Sequence, residues 1–308
     1  MKIKTCTILI GIFMFFSSCD KNKKPAIDEK EPDLSEQVQP ENLKYKPVKK
    51  LLFKDNDAIL LSEELDLKLL KRAVVNLNIR YSDLRINETT SVSYNDEIAF
   101  FVITYLVKTE EPEKPNTGED NPGDYFERKY LFVNKEDGKI IAQETDFNLS
   151  YNENEGMHFS KTYILKDLIQ LNENITGVAF YTEEASGSRV SLYSQQKFTV
   201  IALINDKIKK LLYEYPIRKT QGDSNGGGSF ELETLETGLI ISDTETNGFL
   251  DLIVSKNFSY EAAVEADEEK GTDEQSTTKV KKESERIKYN GKMYVFKKDD
   301  RYRFLDYD

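Results

Sequence analysis

Oxygen-bearing side chains recur at alternate positions along one stretch of the chain, Asp243-Thr-Glu245-Thr-Asn247-Gly248-Phe249-Leu-Asp251. A hard cation such as Ca2+ takes six to eight oxygen ligands, and carboxylates and amides spaced two apart around a turning glycine are a way to supply them. The same residues also read as a plain Asn-Gly hairpin turn with solvated carboxylates. Other chemistry has little to use. His158 is the one imidazole, so a Ser-His-Asp triad would have to employ it, and no Gly-x-Ser-x-Gly elbow supplies a nucleophile. Set between Met157 and Phe159 at the start of an apolar alternation, His158 reads as an ordinary strand residue. One His without available Cys does not make the three or four nitrogen and sulfur ligands typical of zinc. Glycosidase-type carboxylate pairs are diagnosed by distance in space, which 55 acidic residues leave open.

The Asp243–Asp251 stretch lies between Gly238-Leu-Ile-Ile241 and Leu250-Asp-Leu-Ile-Val254. In this setting it resembles the Asp-x-Asp/Asn-x-Asp-Gly-x-x-Asp loops of FG-GAP and VCBS-type β-propeller repeats, which also sit between strands. The likeness covers about a dozen residues, occurs once, and departs at Glu245, whose arm is longer than the usual Asp or Asn. What the resemblance implies, position by position, is a Ca2+ held by Asp243, Glu245, Asn247, the carbonyl of Phe249 and Asp251.

The N-terminus carries a different signal. Lys2 and Lys4 precede an apolar run from Ile8 to Phe16 that is too short to span a bilayer, followed by Phe16-Ser17-Ser18-Cys19. This resembles the leader and lipobox of bacterial lipoproteins of the Bacteroidota kind, with Phe16 in place of the usual Leu. The resemblance implies cleavage before Cys19 and acylation of its sulfur, including a palmitate-type chain. At about 0.8 kcal/mol per buried methylene, several acyl chains anchor essentially permanently. Cys6 would leave with the leader and Cys19 would be modified, so the folded part has no thiol for a disulfide, a metal site or a nucleophile. Residues 20–50 hold Pro25, Pro32, Pro40 and Pro47 among Lys and Glu and read as a disordered tether.

From residue 51 to 308, runs rich in Val, Ile, Tyr and Phe alternate with Asn, Asp and Gly turns, which predicts one mainly antiparallel β domain of hairpins and meanders, sandwich-like or propeller-like. The expected hairpins are Tyr130–Val133 with Lys139–Ala142, and Phe198–Ile204 with Leu211–Tyr213. A three-stranded C-terminal meander is expected from Arg286–Tyr289, a two-residue Asn290-Gly291 turn, Lys292–Phe296 and Arg301–Phe304. Ser62, Glu63 and Glu64 with Leu65, Leu69 and Ala73 at helical spacing predict one helix capped by Ser62, and Lys166–Ile169 predicts a shorter one. Stretches 110–124, 220–229 and 265–285 are rich in Pro, Gly or charge and read as mobile loops.

Composition bounds the function. With 43 Lys plus Arg against 55 Asp plus Glu, a formal charge of -12 and no concentrated basic face, the chain is not built for nucleic acid. The expectation is a non-enzymatic, lipid-anchored protein of the cell envelope, facing the periplasm or the cell surface, that binds an unidentified protein or glycan. One structural Ca2+ is the only cofactor the residues suggest. Two alternatives come from other classes: an inhibitor or immunity protein acting on a cell-wall hydrolase, for which Gly187–Tyr193 is the nearest candidate loop, and a carbohydrate-active enzyme.

Overall fold

β-branched and aromatic residues pack well on a pleated, half-buried surface, and strands make up most of this chain. The structure, a computed structural model, describes residues 50–53, 60–109, 124–150, 157–159, 162–266, 271, 273–299 and 301–305. In chain order its elements are β1 (Lys50–Phe53), helix α1 (Leu67–Asn76), two 3-10 turns (Tyr81–Asp83 and Ile86–Glu88), β2 (Thr90–Ser93), β3 (Ile98–Thr109), β4 (Asp124–Asn134), β5 (Ile140–Ser150), β6 (Met157–Phe159), β7 (Tyr163–Ile164), β8 (Ile169–Gln170) and β9 (Thr176–Ser186). There follow β10 (Ser191–Ile204), β11 (Lys207–Ser224), β12 (Phe230–Thr246), β13 (Phe249–Val264), β14 (Gln275–Tyr289) and β15 (Tyr294–Val295).

The fold is mainly β and antiparallel, as the alternating sequence requires, and its strands form two sheets. The smaller runs β2-β3-β4-β5. The larger runs β15-β14-β13-β12-β11-β10-β9-β6, with β1 on β12 and β7 and β8 on β9. From β9 to β14 sequence neighbours are also spatial neighbours, so this is one meander. Of the two expected architectures the propeller-like one is not realised, since neither sheet is a repeated blade; the chain has no fixed-period repeat to make blades from.

The small sheet is covered on both faces. On one, Phe101, Ile103, Leu131 and Val133 pack with Leu69, Leu70, Ala73 and Val74 of α1. On the other, Phe100, Val102, Tyr130 and Phe132 pack with Ile164, Val178, Phe180 and Ile201 of the large sheet. The result is a helix–sheet–sheet stack. Gly138, at φ 78°, lets the β4–β5 turn reach α1, where an added Cβ would lie 2.6 Å from the Arg72 Cβ.

β11 divides the large sheet. Its ladder with β10 shifts register between Gln196 and Lys197, between Phe198 and Val200, and between Val200 and Ile201, and Glu214 there takes a left-handed φ of 53°. Bulges of this kind bend a strand. β11 therefore pairs with β12 only from Arg218↔Glu236 to Ser224↔Phe230. Below that point β1 takes over the β12 edge, at Leu239, Ile240 and Ile241. Phe53 of β1 meets Phe198, and Tyr215 meets Phe296, closing an aromatic core where the strands part.

Several sequence expectations need correction. The helix is capped by Asp66, whose Oδ1 accepts from the Lys68 and Leu69 amides at 3.0 and 2.9 Å. Ser62 is committed elsewhere, its hydroxyl donating to the Ser91 carbonyl at 2.7 Å and its amide to the Ile164 carbonyl at 2.8 Å. No helix forms at Lys166–Ile169, because the Leu165 and Lys166 amides are taken by the Ala179 and Leu60 carbonyls, both at 2.9 Å. The stretch expected as a loop over 220–229 is strand as far as Ser224, and the turn is only Asn225–Ser229, where Asn225 Oδ1 accepts from the Gly227 amide at 2.8 Å. Likewise β14 occupies Gln275–Glu285 of the stretch read as a loop over 265–285. The stretch 110–124 lies outside the described residues except for Asp124, which opens β4.

Both expected hairpins form. The C-terminal meander forms only in part. Tyr289 pairs with Tyr294, leaving a four-residue connection, 290–293, where a two-residue turn was expected. Arg301–Phe304 is not a strand: it is held by a side chain, since Glu233 accepts the amides of Arg303, Phe304 and Leu305 at 2.7, 2.8 and 3.0 Å.

Candidate functional site

The Asp243–Asp251 hairpin is the site the residues nominated. Asn247 and Gly248, with φ of 51° and 76°, make a two-residue turn between the pairs Thr246↔Phe249 and Glu245↔Leu250. Positive φ at both positions matches the right-handed strand twist, which is why Asn-Gly is favoured there. Between Ile241 and Glu245 the register breaks. This bulge buries Ser242 and leaves Asp243, Thr244 and Glu245 exposed.

The five nominated groups therefore divide. Asp243 and Glu245 face solvent. Asn247 donates its Nδ2 to the Tyr289 carbonyl at 2.8 Å, and Phe249 stacks on Tyr289 with ring centroids 4.0 Å apart. Asp251 is 2% exposed. Its Oδ2 accepts from the Thr244 hydroxyl at 3.3 Å and lies 3.6 Å from Arg286 Nη1, while its Oδ1 has no hydrogen-bond partner. A half-satisfied buried carboxylate is costly, and a cation or a water on the open oxygen would relieve it. Among the described residues no group of three or more His, Cys, Asp or Glu is gathered closely enough to hold a metal ion.

Cys19 lies outside the described residues, as does the expected tether except at its end, where Lys50 is strand, pairing with Ile241 as the first residue of β1. His158 lies in β6 opposite Ala185. The Gly187–Tyr193 stretch turns into β10, Ser188 Oγ accepting from the Val190 and Ser191 amides at 3.1 and 3.0 Å. Tyr193 then donates to Glu184 at 2.6 Å, across the ladder.

Three arrangements were not nominated by the sequence. The first is a polar seam where β5 meets β11: Lys210 Nζ lies 2.8 Å from Glu144 and 3.5 Å from Asp146, and Tyr130 donates to Asp146. Burial first, and the Asp146 charge second, push the Tyr130 hydroxyl well above its ordinary range and raise Tyr213 beside it. Both phenols stay protonated as donors. These groups satisfy one another and clamp two sheets together.

The second is a clasp on the long ladder. Glu233, 4% exposed, holds the three C-terminal amides already described. Arg303 forks onto Glu283 at 2.8 and 3.0 Å and reaches Asp299 at 3.0 Å. Its hydrogen bonds draw the Glu283 carboxyl down to about 2, and Arg301 with Arg303 holds Asp299 below the usual carboxylate range. Only the Arg-x-Arg spacing of Arg301 and Arg303 hinted at a segment that seeks carboxylates. The third is the outer edge of β14, whose residues Gln275–Lys282 are all exposed.

These features define a two-sheet antiparallel protein whose long ladder carries polar faces. The chain matches no protein family, no curated protein and no solved structure.

Proposed function

We propose that this is a lipid-anchored protein of the bacterial cell envelope, held by acyl chains on Cys19 and a tether that ends where β1 begins at Lys50, whose β domain binds a protein or glycan partner without chemically altering it. The binding part of this reading is carried by one observation, the long exposed strand β14, whose outer side from Gln275 to Ile287 has no strand partner among the described residues. The anchor is carried by Phe16-Ser17-Ser18-Cys19 after a short apolar run. Partner exchange at a surface needs accessible backbone and side chains held on a rigid scaffold, and the buried stack below the ladder supplies the scaffold. A Ca2+ at the Asp243–Asp251 hairpin belongs to the reading because Asp251 Oδ1 is buried and unpartnered. The resemblance adds Asp243 and Glu245 as further oxygen ligands, which face solvent in this structure and would have to turn toward Asp251.

The test is fractionation of cells expressing wild type and Cys19→Ser, with intact mass of the wild-type chain. The expected result is an acylated N-terminal Cys19 in membranes and release of the variant. A mature wild-type chain without acyl mass overturns the anchor.

A further inference from the structure

β14 is bonded to β13 along one side without a register break, from Val264↔Gln275 to Leu252↔Ile287. Along the other, among the described residues, only Lys288 and Tyr289 pair, with β15. From Gln275 to Ile287 the strand thus presents a row of N–H and C=O groups aimed away from the sheet, a template for one more strand. The stretch has no Pro, no Gly and no bulge, and Val280 on it is 59% exposed.

Charge selects what can pair there. The strand carries Lys279, Lys281, Lys282, Arg286 and Lys288 against Glu283 and Glu285, in a chain of net charge -12. Glu283 is shared by Arg303 and by Lys281 at 3.0 Å, Glu285 goes to Lys256 at 3.0 Å, and Arg286 lies 3.6 Å from Asp251. Lys279 lies over the Tyr260 ring, and among the described residues neither Lys282 nor Lys288 has a carboxylate partner. By the two-residue alternation of a strand, Lys279 and Lys281 lie on one face and Lys282, Arg286 and Lys288 on the other. Two copies paired antiparallel about Lys282 would set Lys279 opposite Glu285 and Lys281 opposite Glu283, carboxylates that are already engaged, and Lys282 opposite its own copy, so an acidic segment suits this edge better than a second copy does.

We infer that the outer edge of β14 is a β-augmentation site for an acidic extended segment of another protein, one with Asp or Glu recurring among β-branched residues. Main-chain hydrogen bonds to Gln275–Ile287 would give affinity, and the lysines on both faces would favour an acidic strand and reject a basic one. This inference names a partner class for the binding module and rests on that reading.

The test uses the full chain and a short synthetic peptide of alternating Glu and Val, with two control peptides: one N-methylated at alternate residues, the other with Lys for Glu. Expected are saturable binding of the Glu-Val peptide, slower hydrogen exchange in Gln275–Ile287, at least tenfold weaker binding of both controls, and a similar loss in Lys279→Glu/Lys282→Glu. Those positions are exposed, so the variant should keep its melting midpoint. Absence of binding overturns the inference, as does equal binding of the N-methylated peptide or of the double variant. Full protection of both sides of β14 in the free chain overturns it too, because a segment of the chain itself would then be the occupant. An envelope partner that co-isolates equally with wild type and the double variant would remove the edge and leave the binding module standing.

Discussion

β3 and β14 are both long strands of this molecule, and they are opposites in environment. Phe100, Phe101, Val102 and Ile103 of β3 are each 0% exposed, because α1 covers one face of their sheet and the large sheet covers the other. Gln275–Lys282 of β14 are exposed without exception. Neither run alternates between apolar and polar, and the reason is shared: alternation records a difference between two faces, and each strand has two faces alike. Burial holds the first region together. The second is held by its ladder, by cross-strand pairs and by the C-terminal clasp, which leaves its surface available.

The comparison breaks most sharply in the stack. Phe100 touches Phe132, with ring centroids 5.0 Å apart, and Phe180 at 6.2 Å, so Phe100→Ala removes a ring shared by both sheets. The expected cost is about 4 kcal/mol in denaturant unfolding, mostly from the cavity. Val280→Ala on β14 should change stability by less than about 0.5 kcal/mol. Similar costs at both positions would mean that the ladder is supported by burial as the stack is.

The buried Glu233 carboxylate supports the C-terminal clasp on the ladder, and removing it is the next largest effect. Glu233→Leu leaves the amides of Arg303, Phe304 and Leu305 without their acceptor. Orphaned buried donors cost about 1–3 kcal/mol each, less where water reaches them, so about 3 kcal/mol in total is expected. Carboxypeptidase digestion should shorten the variant well before wild type, at a temperature where both remain folded. A C-terminus equally resistant in both chains would show that Glu233 does not hold the segment.

The legible parts of the sequence were those with local causes. Asn247-Gly248 turns where it was expected, and Asn205-Asp206, with φ of 51° and 56°, closes the expected β10–β11 hairpin, because Asn and Asp tolerate left-handed backbone. Leu69 and Ala73 lie on the buried face of a helix as their spacing predicted, but its start was misplaced: Ser62 and Asp66 are both competent caps, and a distant strand claimed Ser62. β14 was read as a loop because a strand exposed on both faces has no hydrophobic period. The seam of Tyr130, Asp146, Glu144 and Lys210 joins residues far apart in the chain, so no local spacing announced it. Of the nominated cation ligands, the hairpin geometry left Asp251 buried and Asp243 and Glu245 outside, a division produced by a bulge at Ser242 that composition does not specify.

That division makes the hairpin a sharper probe of the ladder's base. If Ca2+ joins Asp251 Oδ1, melting in millimolar CaCl2 should exceed melting in EDTA by on the order of 2.7 kcal/mol at a hundred times the dissociation constant. Asp251→Asn should abolish the difference. Arg286, 3.6 Å from the same carboxylate, competes for it, so Arg286→Gln should enlarge the calcium effect. Equal midpoints in both buffers for wild type and Arg286→Gln would make Arg286 the only cation this carboxylate uses.

The smallest expected effect concerns acid, and it separates the clasp from the stack. The Arg303 hydrogen bonds lower Glu283 to about 2, from an ordinary value near 4.5. Asp299 is lowered as well, by Arg301 first. A carboxyl with a depressed folded pKa binds fewer protons in the clasped state than in the released one. Its contribution is therefore full above the ordinary carboxylate range, declines as pH falls below about 4.5, and is gone once pH passes through about 2. The Glu283 side chain is 30% exposed and Asp299 21%, so solvent and salt screen the pairs and the amplitude is modest. Pepsin works across this window and would cut a freed Phe304-Leu305 bond. The expected result is slow C-terminal trimming at pH 4 and faster trimming toward pH 2, with the aromatic circular dichroism of the stack unchanged between them; added salt should speed the trimming at pH 4 and so shrink the step. Arg303→Met should already be trimmed quickly at pH 4 and lose the pH step. Trimming that accelerates only together with loss of the aromatic signal would mean that clasp and stack open as one unit, and the contrast between the two regions would not extend to their stability.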